Sequence, residues 1–234
     1  MLQQPTSHVQ QILFSNDLQF YVNEIFFSVQ GEGTRAGLPC VFVRLQGCKL
    51  RCSWCDTTYA LDYKKGGITM SAQEIIEKVQ SYNCNFVEFT GGEPLEQENI
   101  YPLLSWFCDN GYTVAIETGG HVNTEFVDER VIRILDMKCP DSKMTPLNNY
   151  RNLEVLRTTD EVKFVIASET DYNWAKTLVL EHQLNTKVHA VLFSSVFSIL
   201  PPLTLTEWIL RDNLPVRMQL QMHKFIWEPS TRGV

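Results

Sequence analysis

No apolar run in this chain is long enough to cross a membrane, and the first residues, MLQQPTSHVQQILFSNDLQF, lack the charged-then-apolar layout of a secretory leader. Positive charge is scarce. Twenty Lys and Arg stand against 27 Asp and Glu, a net charge of −7, and the only basic run is Lys64-Lys65. A nucleic-acid partner calls for a basic face, so neither nucleic acid nor membrane is an expected partner. A disulfide framework is also missing. Seven cysteines is an odd count in a chain without a leader, which points to a reducing, cytoplasmic compartment. Cys40, Cys84, Cys108 and Cys139 read as buried, inert thiols. There is no internal repeat and no low-complexity tract. With 234 residues, 44% apolar and 20% charged, the chain suits one globular domain over residues 21–234, preceded by a polar extension over residues 1–20.

Short apolar runs alternate with amphipathic stretches. Strands are expected at Asn23–Ser28, Cys40–Leu45, Phe86–Phe89, Thr113–Glu117, Val131–Met137, Val162–Ile166, Lys187–Phe193 and Val216–Gln221. Their β-branched and aromatic content favours strand over buried helix. Ser71-Ala72-Gln73-Glu74 has capping-box spacing and opens a helix through Val79. Further helices are expected over Asn99 to Asn110, Ser168 to Gln183, and Thr204 to Asp212 with Thr204 or Thr206 as N-cap. This alternation predicts an α/β fold with a mostly parallel sheet and right-handed crossovers. Gly91, Glu117 and Lys138 all fall at the carboxyl ends of expected strands, where such sheets collect ligands.

The chemistry concentrates in GCKLRCSWCD. Cys48, Cys52 and Cys55 bring three thiolates onto one loop with no fourth ligand adjacent. A closed zinc site takes four protein ligands, usually as two separated pairs. An iron–sulfur cubane takes soft thiolates, and one held by only three keeps an iron open to a ligand. A structural metal knuckle in a non-catalytic zinc-binding protein is the other reading of the spacing. A second motif, Thr90-Gly91-Gly92-Glu93-Pro94, follows the apolar run Phe86 to Phe89. Glycines at a strand end let backbone groups approach a ligand, and Glu93 can accept hydrogen bonds from an ammonium group.

The CxxxCxxC spacing, with Trp54 before the last cysteine and a GGEP segment about 35 residues later, resembles the radical S-adenosylmethionine (SAM) superfamily. Closer still, the segments Phe27-Ser28-Val29-Gln30-Gly31-Glu32-Gly33, Val41 to Cys48, Cys55-Asp56-Thr57 and Gln221-Met222-His223-Lys224 are similar to the 7-carboxy-7-deazaguanine synthases, over most of the chain from about Val22. The resemblance implies a partial (β/α)6-type barrel. It also implies a [4Fe–4S] cluster on Cys48, Cys52 and Cys55, whose open iron binds SAM. One electron then cleaves SAM reversibly to a 5′-deoxyadenosyl radical. The implied reaction converts 6-carboxy-5,6,7,8-tetrahydropterin into 7-carboxy-7-deazaguanine and ammonia, with SAM regenerated, in queuosine and related 7-deazapurine biosynthesis.

The same resemblance implies the site. Arg44 holds the substrate carboxylate, a task suited to a guanidinium. Glu32 hydrogen-bonds the ring, Val29, Gln30 and Gly31 supply further contacts, and Thr90 and the terminal carboxylate of Val234 also meet substrate. Trp54, Cys55, Asp56, Gly92, Glu93, Asp136, Met137, Lys138 and Ser194 are the expected SAM contacts, with Ser195 standing where the family often has proline. Thr57 is the expected Mg2+ ligand, since Mg2+ takes oxygen donors and retains waters. His223 reads as a packed or hydrogen-bonded histidine. A homodimer and a one-electron donor such as flavodoxin or ferredoxin are expected partners. A glycyl-radical-enzyme activase is the competing enzyme reading, although Gln30, Glu32 and Arg44 suit a small polar ligand better than a protein backbone.

Overall fold

The computed structural model describes residues 18–234, so most of the expected extension lies outside it. Gln19 and Phe20, placed in that extension by sequence, already belong to the first strand, where Phe20 is buried. Nine strands form one sheet in the order β3-β1-β2-β4-β5-β6-β7-β8-β9. They are β1 (Gln19–Val29), β2 (Pro39–Leu45), β3 (Ile68–Ser71), β4 (Phe86–Gly91), β5 (Thr113–Thr118), β6 (Ile132–Asp136), β7 (Glu161–Ile166), β8 (Ala190–Ser195) and β9 (Arg217–Gln219). From β2 to β9 every neighbouring pair along the sheet is parallel, while β1 pairs antiparallel with both β2 and β3. This is the mostly parallel sheet of a partial (β/α)6-type barrel, with an antiparallel edge.

The helices are α1 (Ala72–Gln80), α2 (Ile100–Asp109), α3 (Glu169–Glu181), α4 (Leu184–Lys187), α5 (Pro202–Arg211) and α6 (His223–Ile226). The capping box at Ser71 forms: its side chain accepts from Glu74 N, and Glu74 accepts from Ser71 N. Ser168 caps α3 by accepting from Asp171 N. The start expected for α5 is wrong. Pro201 is the N-cap and Pro202 the first helical residue, a position where a missing N–H costs nothing. Thr206 lies inside the helix and donates to Pro202 O. Lys187 closes α4 instead of opening a strand, and β8 begins at Ala190. No α-helix spans β5 to β6 or β6 to β7. Those connections are rich in Gly, Asn and Pro and lack a helical apolar stripe, so they run as turns.

Strand alternation sorts the side chains into layers. Val41, Val43, Leu45, Val87 and Phe89 pack outward with α1 and α2. Val162, Phe164 and Ile166 pack outward with α3 and α5. Phe26, Cys40, Phe42, Phe86, Ala115, Ile132 and Ile134 fill the inside of the curved sheet. Cys40 and Cys139 are buried as expected, but Cys84, in the loop before β4, and Cys108, near the end of α2, are only partly buried against the core.

Candidate active site

Above the apolar interior layer, the carboxyl ends of the strands open into one cavity of about 700 Å3. Cys48, Cys52 and Cys55 line it on a loop anchored at both ends. Gly47 N donates to Ala60 O, Cys48 N to Leu61 O, and Ser53 N to Ser142 O. The GGEP segment meets this loop backbone to backbone: Gly92 N donates to Leu45 O and Glu93 N to Gly47 O. A Cβ on Gly92 would overlap the Gly47 carbonyl oxygen, so glycine is required for that approach.

The donor set fits an iron–sulfur cluster. All three thiols are free. Burial pushes the Cys48 thiol up to about 12 and raises Cys52 as well, so the protein alone does not favour the thiolates. Positive iron at the loop would supply the missing stabilisation. Among the described residues no three His, Cys, Asp or Glu side chains converge as they would on a single ion. A cubane takes one thiolate on each of three irons.

The expected site residues divide into two groups. Val29, Gln30, Gly31, Glu32, Arg44, Trp54, Asp56, Thr57, Thr90, Gly92, Asp136, Lys138 and Val234 all line the cavity with the cysteines. Glu93, Met137 and Ser194 do not. Glu93 is fully buried, and its carboxylate accepts from Leu95 N, Thr118 Oγ1 and Gly119 N. It braces the loop after β5 with no oxygen toward the cavity. Met137 packs into the outer core with Leu135. Ser194 is buried beside the cavity wall, and its hydroxyl has no partner. Asp136 does reach the cavity; its Oδ1 is also unpartnered while Oδ2 accepts from Lys138 Nζ at 2.8 Å.

On β2, Arg44 Nε donates to Glu24 Oε1 at 2.8 Å, and its guanidinium sits near the Phe26 and Tyr59 rings. Nε is its only hydrogen-bonding nitrogen among the described residues, which leaves the planar terminal fork for a ligand. Arg232 stacks on Tyr59 at 3.7 Å from the ring centroid, which holds the carboxyl-terminal segment over the cavity. His223 approaches Gly31 so closely that a Cβ there would collide with the imidazole. Burial lowers the His223 pKa below the ordinary imidazole value.

Sequence reasoning missed Lys163 and Glu88. Both lie in the interior of apolar strands and both line the cavity. A charge interrupting an apolar strand needs a partner, and that signal would have found them.

A model of the Radical SAM superfamily matches residues 42–163, more than half of the chain. Fold, cysteine loop and this match together define a radical SAM enzyme. Among sequence relatives, the 7-carboxy-7-deazaguanine synthase of Chlorobaculum tepidum is 45% identical over 94% of this chain and all of its own length. That of Koribacter versatilis is 42% identical over 91% of this chain and 99% of its own. The chain belongs to the 7-carboxy-7-deazaguanine synthase family. Its fold is shared by the solved structure of QueE from Escherichia coli, with a TM-score of 0.71 at 22% identity, covering 92% of this chain and 99% of that one.

Proposed function

We propose that the protein contracts the ring of 6-carboxy-5,6,7,8-tetrahydropterin to give 7-carboxy-7-deazaguanine and ammonia. The observation that carries this reading is the joining of two chemistries in one cavity, which the thiol loop lines together with Glu32, Arg44 and Thr90. A glycyl-radical-enzyme activase would need room for a protein segment, whereas Arg232 and the chain end fold across this cavity.

When bound, the cluster and SAM supply a reversible hydrogen-atom abstractor driven by one electron. The residues do the rest. Cys48, Cys52 and Cys55 hold the cluster. Trp54, Cys55 and Asp56, Gly92, and Asp136 with Lys138 flank the space for SAM. The unpartnered Asp136 Oδ1 is an acceptor suited to a ribose hydroxyl or an ammonium. Arg44 holds the substrate carboxylate bidentately, and Glu32 accepts ring N–H groups. Thr57 Oγ1 lies 3.8 Å from Cys55 Sγ, and its hydroxyl would hold Mg2+, which would supply Lewis-acid stabilisation of negative charge. Val29, Gln30 and Gly31 shape the ring's edge, and Val234 lines the cavity beside them. Orientation and exclusion of water are the protein's main contributions to rate. A homodimer, a one-electron donor of the flavodoxin or ferredoxin kind, and a cytoplasmic setting complete the reading.

Anaerobic reconstitution with iron and sulfide, followed by SAM, dithionite, Mg2+ and the pterin, tests it. The expected result is 7-carboxy-7-deazaguanine by mass spectrometry, absent without SAM and reduced without Mg2+. A brown protein that cleaves SAM but forms no product would reject the substrate.

A further inference from the structure

Lys163 is a buried cation, with only 5% of its surface exposed. It projects from β7 into the cavity, on the same face as Glu161 and away from Val162, Phe164 and Ile166. Its ammonium meets Glu32 Oε2 at 3.0 Å, pairs with Glu117 Oε1, and lies 3.9 Å from Asp136 Oδ2. These carboxylates come from three other segments: the turn after β1, the end of β5 and the end of β6. The remaining partners are unequal. Glu32 also accepts from Gln221 at 2.9 Å and Gln219 at 3.3 Å, whereas among the described residues Glu117 has besides Lys163 only a long 3.5 Å contact from Thr90 Oγ1. Burial works against ionising Glu32, yet Lys163, Gln221 and His223 outweigh it and hold the carboxyl down at about 2.

We propose that Lys163 is a positioning residue that sets which ring edge the cavity accepts. It fixes Glu32 and Glu117 side by side as acceptor-only groups for an edge that presents N–H donors. The inference rests on the pterin reading above. A 2-amino-4-oxo ring offers adjacent N–H groups to such a pair. The 2-oxo counterpart would set a carbonyl against ionised oxygens, and a site built to receive N–H groups rejects such an analogue steeply.

The test compares the 6-carboxy-tetrahydropterin with its 2-oxo analogue in the reconstituted enzyme. The wild type is expected to prefer the amino compound by about 100-fold or more in kcat/KM. Lys163→Met is expected to raise KM for the amino compound about 30-fold, as for a lost charge-assisted contact, and to shrink the preference below about tenfold. Lys163→Arg, which keeps the charge, retains most of the preference. A lysine that merely supported the fold would lower kcat in step with cluster content and leave KM and preference alone, which overturns the proposal. Should Lys163→Met fail to fold, Glu117→Gln gives the same decision: it keeps the shape, loses one ionised acceptor, and must narrow the preference. A wild type that turns over neither compound overturns the pterin reading and the inference together. A wild type active on the amino compound but indifferent to these substitutions overturns the inference alone.

Discussion

Arg133 and Lys163 are cations buried to similar depth on neighbouring strands, yet they serve opposite ends. Arg133 leaves β6 on the face opposite Ile132 and Ile134, which fill the barrel interior. Its guanidinium pairs with Asp160 and also donates to Thr124 O, Thr124 Oγ1 and Val155 O. Every direction is taken by protein, so the group ties loops beneath the strands and has nothing left for a ligand. Lys163 points inward, and the carboxylates it gathers open onto the cavity. Burial of charge is therefore not by itself a functional sign. What separates the two is whether the partners are saturated and which face of the sheet they occupy.

This contrast can be broken from either side. The largest effect belongs to the thiol loop: Cys52→Ala should lose the cluster and all turnover while circular dichroism shows a folded chain. Full cluster absorbance in that variant would refute the ligand set. Next comes Asp160→Ala, which strands Arg133 without its carboxylate. It should lower unfolding stability by about 3–5 kcal/mol in urea titrations, with KM for substrate unmoved. A shifted KM at unchanged stability would erase the distinction between the two sites. Arg44→Ala should lower kcat/KM for the pterin roughly 100-fold, within the range for an unpaired buried charge contact, while SAM still binds in calorimetry.

The smallest effect is a pH dependence at Glu88, below the Lys163 group. Burial, then the Glu117 charge, pushes its carboxyl well above the ordinary value near 4.5. Stability from a raised acid is fully present below that ordinary value and is lost as pH rises through the folded one. Glu88→Gln removes the titration. Its melting temperature relative to wild type should therefore be higher at pH 8 than at pH 5, by about 2–4 °C. An offset independent of pH would mean that Glu88 is ionised in the fold.

Much of the site was legible because its chemistry needs contiguous motifs. Cys48 to Cys55 and Thr90 to Pro94 are loop segments whose residue types carry their own meaning, and they do meet at one cavity. The strands were legible through β-branched runs, and α1 through its capping box. The start of α5 was not, because Thr204 and Thr206 look like caps until Pro202 is recognised as a first-turn residue. The partners of Glu93 were hidden for a different reason. Its motif neighbours line the cavity, but its own carboxylate turns back to Thr118 and Gly119, and only the packing of a distant loop decides that. Lys163 and Arg133 show the limit most sharply. Both interrupt apolar strands, and strand parity against the flanking apolar residues separates inward from outward, but the register that brings Glu32 and Glu117 to Lys163 spans 131 and 46 residues of chain.

The account stands on one cavity holding cluster, SAM and pterin together. Its most direct test counts products: an anaerobic reaction with limiting SAM and excess 6-carboxytetrahydropterin, with 7-carboxy-7-deazaguanine and residual SAM both quantified by mass spectrometry. Many products formed per SAM lost is the predicted result, because a hydrogen atom taken from a bound pterin returns to its source within the closed site. Consumption of SAM without 7-carboxy-7-deazaguanine would contradict it.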